Sequence, residues 1–147
     1  MPPPDYIELI DAHGGGTLDR DLTVFEPGAV PAAYDLLTEG LLRAEDAEEF
    51  WAEGDPDFPR PPRLSAPGTR LICWASTPAA EFLYWVVPSA VPSASWTIAL
   101  QQGEDHLWEF FDLGTVAFLH SLLTGGIESS ILKDWYARQD SHSYTHF

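Results

Sequence analysis

The sequence predicts one α+β domain, an antiparallel β-meander sheet flanked by helices. Three observations carry this expectation. The chain has 147 residues, 45 % apolar and 20 % charged, a globular composition of single-domain size. Trp74, Trp85, Trp96 and Trp108 recur at intervals of 11, 11 and 12, each inside a short β-rich run bounded by turn residues, the pattern of consecutive antiparallel strands. Apolar residues at helical spacing precede and follow that region, with glycines closing the first and last such stretches.

Pro2 to Pro4 suit a helix start, and Tyr6, Ile7, Leu9 and Ile10 give one apolar stripe that ends at Gly14-Gly15-Gly16. Leu18, Leu22, Val24 and Phe25 have the content of one or two short strands before Pro27-Gly28 turns the chain. A longer helix is expected from Pro31 to Ala52, with Tyr34, Leu37, Leu41, Ala44 and Trp51 facing the core and Gly40 as its weak point. The five prolines of 54–68 predict a surface loop joining two halves of one domain, 1–147.

The meander strands are expected at Leu71 to Ser76, Phe82 to Val87, Ser95 to Gln101 and His106 to Phe111, with Gln102-Gly103-Glu104-Asp105 as the last hairpin turn. Phe82 to Val87 is apolar on both faces and reads as interior. Trp96, Ile98 and Leu100 alternate with Ser95, Thr97, Ala99 and Gln101, which predicts a wet face on the third strand. Thr115 to Thr124 reads as an amphipathic helix, with Val116, Phe118, Leu119, Leu122 and Leu123 inward and Gly125-Gly126 as its stop. Ile131, Leu132, Trp135 and Tyr136 suggest a docked segment, followed by a frayed tail at 138–147.

Charge restricts the function classes. Twenty-three acids against seven bases give a net charge of −16, which repels phosphate backbones and argues against nucleic-acid binding. The excess is early: residues 1–57 hold fifteen acids and two bases, and 58–80 hold three arginines and no acid. One cysteine, Cys73, forms no disulfide framework and no structural zinc site. The start lacks a basic segment followed by an apolar core, so it does not read as a signal peptide. The uncharged run from Phe82 to Gly103 is broken by Pro88, Pro92 and serines before it reaches bilayer-spanning length. A cytoplasmic protein without membrane contact is expected.

No catalytic motif emerges. The glycine run is not followed by Gly-Lys-Ser/Thr and reads as a helix stop. His142 and His146 are four apart but lack the Glu of a metal-binding helix, so no metal or cofactor is expected. His120 reads as a hydrogen-bonded rim histidine, and Cys73 as a buried packing residue in a strand. Acidic recognition remains. At 100° per residue, Asp35, Glu39, Asp46, Glu49 and Glu53 fall within one arc of about 80°, a carboxylate ridge roughly 27 Å long. Between Glu45 and Asp57 there are seven acids in thirteen residues, with Phe50 and Trp51 among them. Aromatics beside a field of one sign resemble an interface hot spot. The expected partner-binding residues are therefore the ridge carboxylates for steering, with Phe50 or Trp51 as anchor.

Several blocks also resemble a known family. Pro4-Asp5-Tyr6-Ile7-Glu8-Leu9-Ile10 leading to His13-Gly14-Gly15-Gly16, then Leu71-Ile72-Cys73-Trp74 with Trp85, occur in its order. Trp108-Glu109-Phe110-Phe111-Asp112, Phe118-Leu119 and Leu122-Leu123-Thr124-Gly125 complete the match over nearly the whole chain. Together they resemble the SUKH superfamily of bacterial immunity proteins, which has a fungal branch that includes a cell-wall glucan-synthesis regulator. Two departures stand out. The family's helix ahead of the Pro-Asp-Tyr block has no counterpart here, and its polar Asn-Gly-Asp-like turn is replaced by Thr77-Pro78-Ala79-Ala80-Glu81.

The resemblance implies a SUKH-like α+β domain that makes no chemical bonds itself and neutralises a cognate protein toxin, often a nucleic-acid-directed enzyme. The charge distribution leads to the same kind of partner, because a basic cleft attracts an acidic surface. The alternative is a regulatory interaction module, like the fungal branch, that recruits another protein through the Pro-rich loop and the wet face of the third strand.

Overall fold

The computed structural model describes residues 1–103 and 105–147. The chain forms helix α1 (Pro4–His13), strands β1 (Gly16–Leu18) and β2 (Leu22–Val24), and helix α2 (Glu39–Ala52). Strands β3 (Arg70–Ser76), β4 (Glu81–Val87), β5 (Thr97–Gln102) and β6 (Leu107–Phe111) follow, then helix α3 (Thr115–Thr124) and strand β7 (Tyr144–His146). The strands make one seven-stranded sheet in the order β6-β5-β4-β3-β2-β1-β7, with every neighbouring pair antiparallel. This is the α+β sheet with flanking helices that the tryptophan spacing predicts. The expected hairpin turn at 102–105 includes Glu104 and falls partly outside the described residues.

Register sorts the side chains into two faces. Ile72, Trp85, Ile98 and Phe111 pair across β3 to β6 and share one face, while Cys73, Tyr84, Ala99 and Phe110 share the other. The first face is covered by α1 and α3. Tyr6 meets the Trp85 ring edge-on at 4.9 Å, and Phe118 packs against Trp74 and Phe111. The Trp85 indole N–H donates to Thr115 Oγ1 at 2.9 Å, and the Tyr6 hydroxyl donates to the Phe25 carbonyl. Those bonds satisfy polar atoms that would otherwise oppose burial. Helix α3 has the expected bounds and ends at Gly125, but Val116 points outward and is exposed.

The second face is covered by α2, which begins later than expected. From Pro31 the chain makes only a short 3-10 turn, Ala32–Tyr34, and helix starts at Glu39. The cause is Asp35. Its carboxylate accepts from the backbone N–H groups of Gly28 at 2.7 Å and Leu37 at 3.1 Å, and from the Thr38 hydroxyl. Such side-chain bonds hold the backbone in a turn and compete with helix.

The buried side of α2 is also rotated from the expected one. Gly40 and Ala47 are buried, whereas Leu37 and Leu41 are 61 % and 49 % exposed. Gly40 is a contact point, not a weak point: a Cβ there would lie 2.7 Å from the Cys73 carbonyl oxygen, so only glycine lets α2 approach β3 this closely. Strand β4 is interior as expected, but β5 has no fully wet face, since Ala99 is completely buried beneath the α2 side.

The segment after α3 docks through Ile131, Leu132 and Tyr136, while Trp135 stays exposed. Beyond it the tail does not fray. Tyr144, Thr145 and His146 pair with Leu18, Thr17 and Gly16. Asp19 secures the approach: its carboxylate accepts from Ser143 N–H at 2.8 Å and lies 2.7 Å from His142 Nδ1. Edge pairing of this kind is made by backbone groups, so a polar tail carries no alternating pattern to announce it. The glycine run does more than stop α1. Side chains at Gly14 and Gly16 would run into His146 and the backbone at Thr145, so the run makes room for β7.

Candidate partner-binding site

The Cys73 face carries a thinner cover than the Trp85 face, and arginines finish it. The Arg60 guanidinium lies 4.5 Å over Trp51, Arg43 lies 5.1 Å over Phe82, and Arg63 lies 5.1 Å over Phe110. Each cation is also paired with acid. Arg43 Nε donates to Glu39 Oε1 at 2.7 Å and its Nη1 lies 3.6 Å from Asp46. Arg60 grips Glu48 through both terminal nitrogens, and Arg63 reaches Asp112. Burial pulls the Arg43 guanidinium down, but Glu39 and Asp46 outweigh it and leave the group above its usual value, charged at every working pH.

These pairs redraw the predicted ridge. Asp35 is not on the helix; its hydrogen bonds to Gly28 and Leu37 N–H hold the carboxyl below its ordinary value and tie it to a turn. Glu39 and Asp46 are matched by Arg43. Trp51 packs 5.5 Å from Trp108 beneath Arg60 and is a half-buried covering residue, not a free anchor. Glu49 and Glu53 remain exposed and, with Glu45, Asp55 and Asp57, have no ion-pair partner among the described residues.

Phe50 does face an accessible cluster. It stacks on His106 at 4.0 Å with ring planes 7° apart, and exposed Phe58 closes the group at 6.1 Å from Phe50 and 5.0 Å from His106. Sequence reasoning missed Phe58 and His106, because they come from the Pro-rich loop and the approach to β6 and meet only in the fold. A signal for the rotation of α2 was present: Gly40, Ala44 and Ala47 form a stripe of small residues leading to Trp51, the mark of close helix–sheet contact.

Beneath this cluster lies a cavity of about 230 Å³ lined by Arg43, Asp46, Phe82, Tyr84, Gln101 and His106, among others. Several of its polar groups are already bonded, although the buried His106 Nδ1 has no hydrogen-bond partner among the described residues. Arg43 is held by Glu39, and the Tyr84 hydroxyl donates to Gln101 Oε1 at 2.8 Å. Burial pushes the Tyr84 hydroxyl well up, so it stays neutral, and likewise pushes up the Cys73 thiol behind it, as its place in the strand predicts. His120 sits at a separate, apolar cavity of about 320 Å³ with His13 and Tyr144, between α1 and α3. His142 is bonded to Asp19, and His146 Nδ1 lies 2.9 Å from the Phe147 carbonyl oxygen. Among the described residues, no group of three or more His, Cys, Asp or Glu is placed to hold a metal ion, and no helix is long and apolar enough to cross a membrane.

No family model, curated protein or solved structure matches this chain.

Proposed function

We propose that this chain is a SUKH-like immunity protein: a cytoplasmic, non-enzymatic binder that occludes a basic protein toxin. The observation that carries the reading is the set of exposed carboxylates Glu45, Glu49, Glu53, Asp55 and Asp57, free of ion pairs among the described residues and carried by the same helix and following loop that supply Phe50 and Phe58. Exposed carboxylates speed encounter with a cationic surface, and accessible aromatic side chains supply desolvated contact. The same field repels nucleic acid and so suits a partner whose own cleft is built for phosphates. The order of the sequence blocks shared with the SUKH superfamily supports the same conclusion. The regulatory-module alternative has less support, since one of the two surfaces it uses, the outer side of β5, is interrupted by the buried Ala99.

Coexpression with the product of the adjacent gene tests the proposal. Rescue of growth and a complex whose association rate falls steeply with added salt are the expected results. A complex whose rate is indifferent both to salt and to the combined change Glu49→Lys, Glu53→Lys and Asp57→Lys removes the steering role. Absence of any complex removes the immunity reading.

A further inference from the structure

The outward side of α2 and the start of β3 frame two neighbouring cavities that share Leu41. One is about 190 Å³ and apolar, walled by Leu37, Leu41, Ile72, Trp85 and Trp96, with Met1, Pro2 and Leu36 also lining it. The other is about 350 Å³ and is walled by Leu41, Ala44, Glu45, Glu48, Glu49 and Arg70, among others. Exposed leucines in the first contrast with exposed acids in the second. Leu37 and Leu41 lie at helical spacing yet remain open to water, leaving apolar area that association can bury. Trp96 completes the apolar wall of the first cavity.

We propose that the groove is the docking site for a basic amphipathic helix of the partner protein, an apolar side chain entering between Leu37, Leu41 and Trp96 while basic side chains reach Glu45 and Glu49. This deepens the proposed function and rests on it. Charge complementarity selects the occupant: Glu45 and Glu49 have no ion pair among the described residues, whereas Glu48 is held by Arg60. Arg70 on the opposite wall opposes a cation there and sharpens the register. Leu41 and Glu49 are about 12 Å apart along the helix axis, so a helix laid beside α2 meets them with residues about eight positions apart. Laying an amphipathic helix in a groove is an established recognition mode, read as anchors at helical spacing.

Three synthetic helical peptides test this against the full chain by calorimetry and by amide and indole NMR. The parent has one leucine followed by lysines at the fourth, seventh and eighth positions; one control replaces the leucine with serine, and the other replaces the lysines with glutamine. The parent is expected to bind at least about tenfold more tightly than either control and to move the Trp96 indole resonance. Leu41→Ser, with an unchanged far-UV spectrum, is expected to erase the advantage of the leucine, and Arg70→Ala to tighten the parent. Equal binding of the parent and the serine peptide, with Trp96 unmoved and Glu49→Lys weakening both, overturns the groove while leaving the acidic-surface reading intact. Failure of every lysine peptide to bind at low salt overturns both.

Discussion

The two faces of the sheet are built on different principles. On the face under α1 and α3, Tyr6, Trp85 and Phe118 are completely enclosed and the polar atoms of Tyr6 and Trp85 are hydrogen-bonded. On the face under α2, the helix buries only Gly40 and Ala47, and arginines lying over aromatic rings complete the cover. The first arrangement draws its stability from excluded water, at roughly 25 cal/mol per Å² of apolar surface. The second uses a thin, charged cover that contributes less and leaves acids and leucines accessible. The dry side thereby supplies most of the stability, while the unpaired carboxylates sit on the helix that covers the other side.

The contrast breaks most directly in the dry face. Phe118→Ala is expected to lower unfolding free energy by about 3–5 kcal/mol in urea denaturation, and Trp51→Ala by clearly less; equal losses would erase the distinction between the faces. Next comes Gly40→Val, which forces α2 away from the Cys73 carbonyl at a cost of about 1–3 kcal/mol, with faster amide exchange along β3 as the signature. Arg60→Ala removes its contact with the Trp51 ring and is expected to cost about 0.5–1 kcal/mol, much of it retained in high salt because stacking is less screened than the ion pair with Glu48.

Two carboxylates give the smallest effects, with opposite signs. Asp35 is held below its usual range by the N–H groups of Gly28 and Leu37, so its contribution is present above the ordinary carboxylate pKa and is lost as pH falls through the depressed value. Asp35→Ala removes that acid-side dependence. Glu81 is raised by burial, which outweighs the hydrogen bond from Thr77 and is reinforced by the charge of Asp21. Its ionised form is disfavoured in the fold, so stability declines as pH rises from the ordinary carboxylate value through the raised one. Glu81→Gln is expected to flatten the melting temperature across that window and to raise it slightly at pH 7. A pH profile that Glu81→Gln leaves unchanged would remove the assignment.

Helix α3, the meander strands and the glycine stop of α1 were legible because each is written in contiguous residues with a definite period. The start of α2 was obscured because the carboxylate of Asp35 bonds back to Gly28, which no helical periodicity encodes. The candidate site was legible in its charge and in Phe50, but not in its membership. Arg60 finds Glu48, and Arg63 finds Asp112, only once the Pro-rich loop lies against α2 and β6. Those contacts decide which acids are matched.

By itself, the sequence determined the element types, the dry strand β4 and the sign of the surface field, since periodicity, side-chain size and charge are local properties. Tertiary structure decided which side of α2 is buried, which carboxylates stay unpaired, and where the last strand goes. Those outcomes depend on which surfaces meet: close approach at Gly40 turns two leucines outward, and space beside Gly16 admits β7.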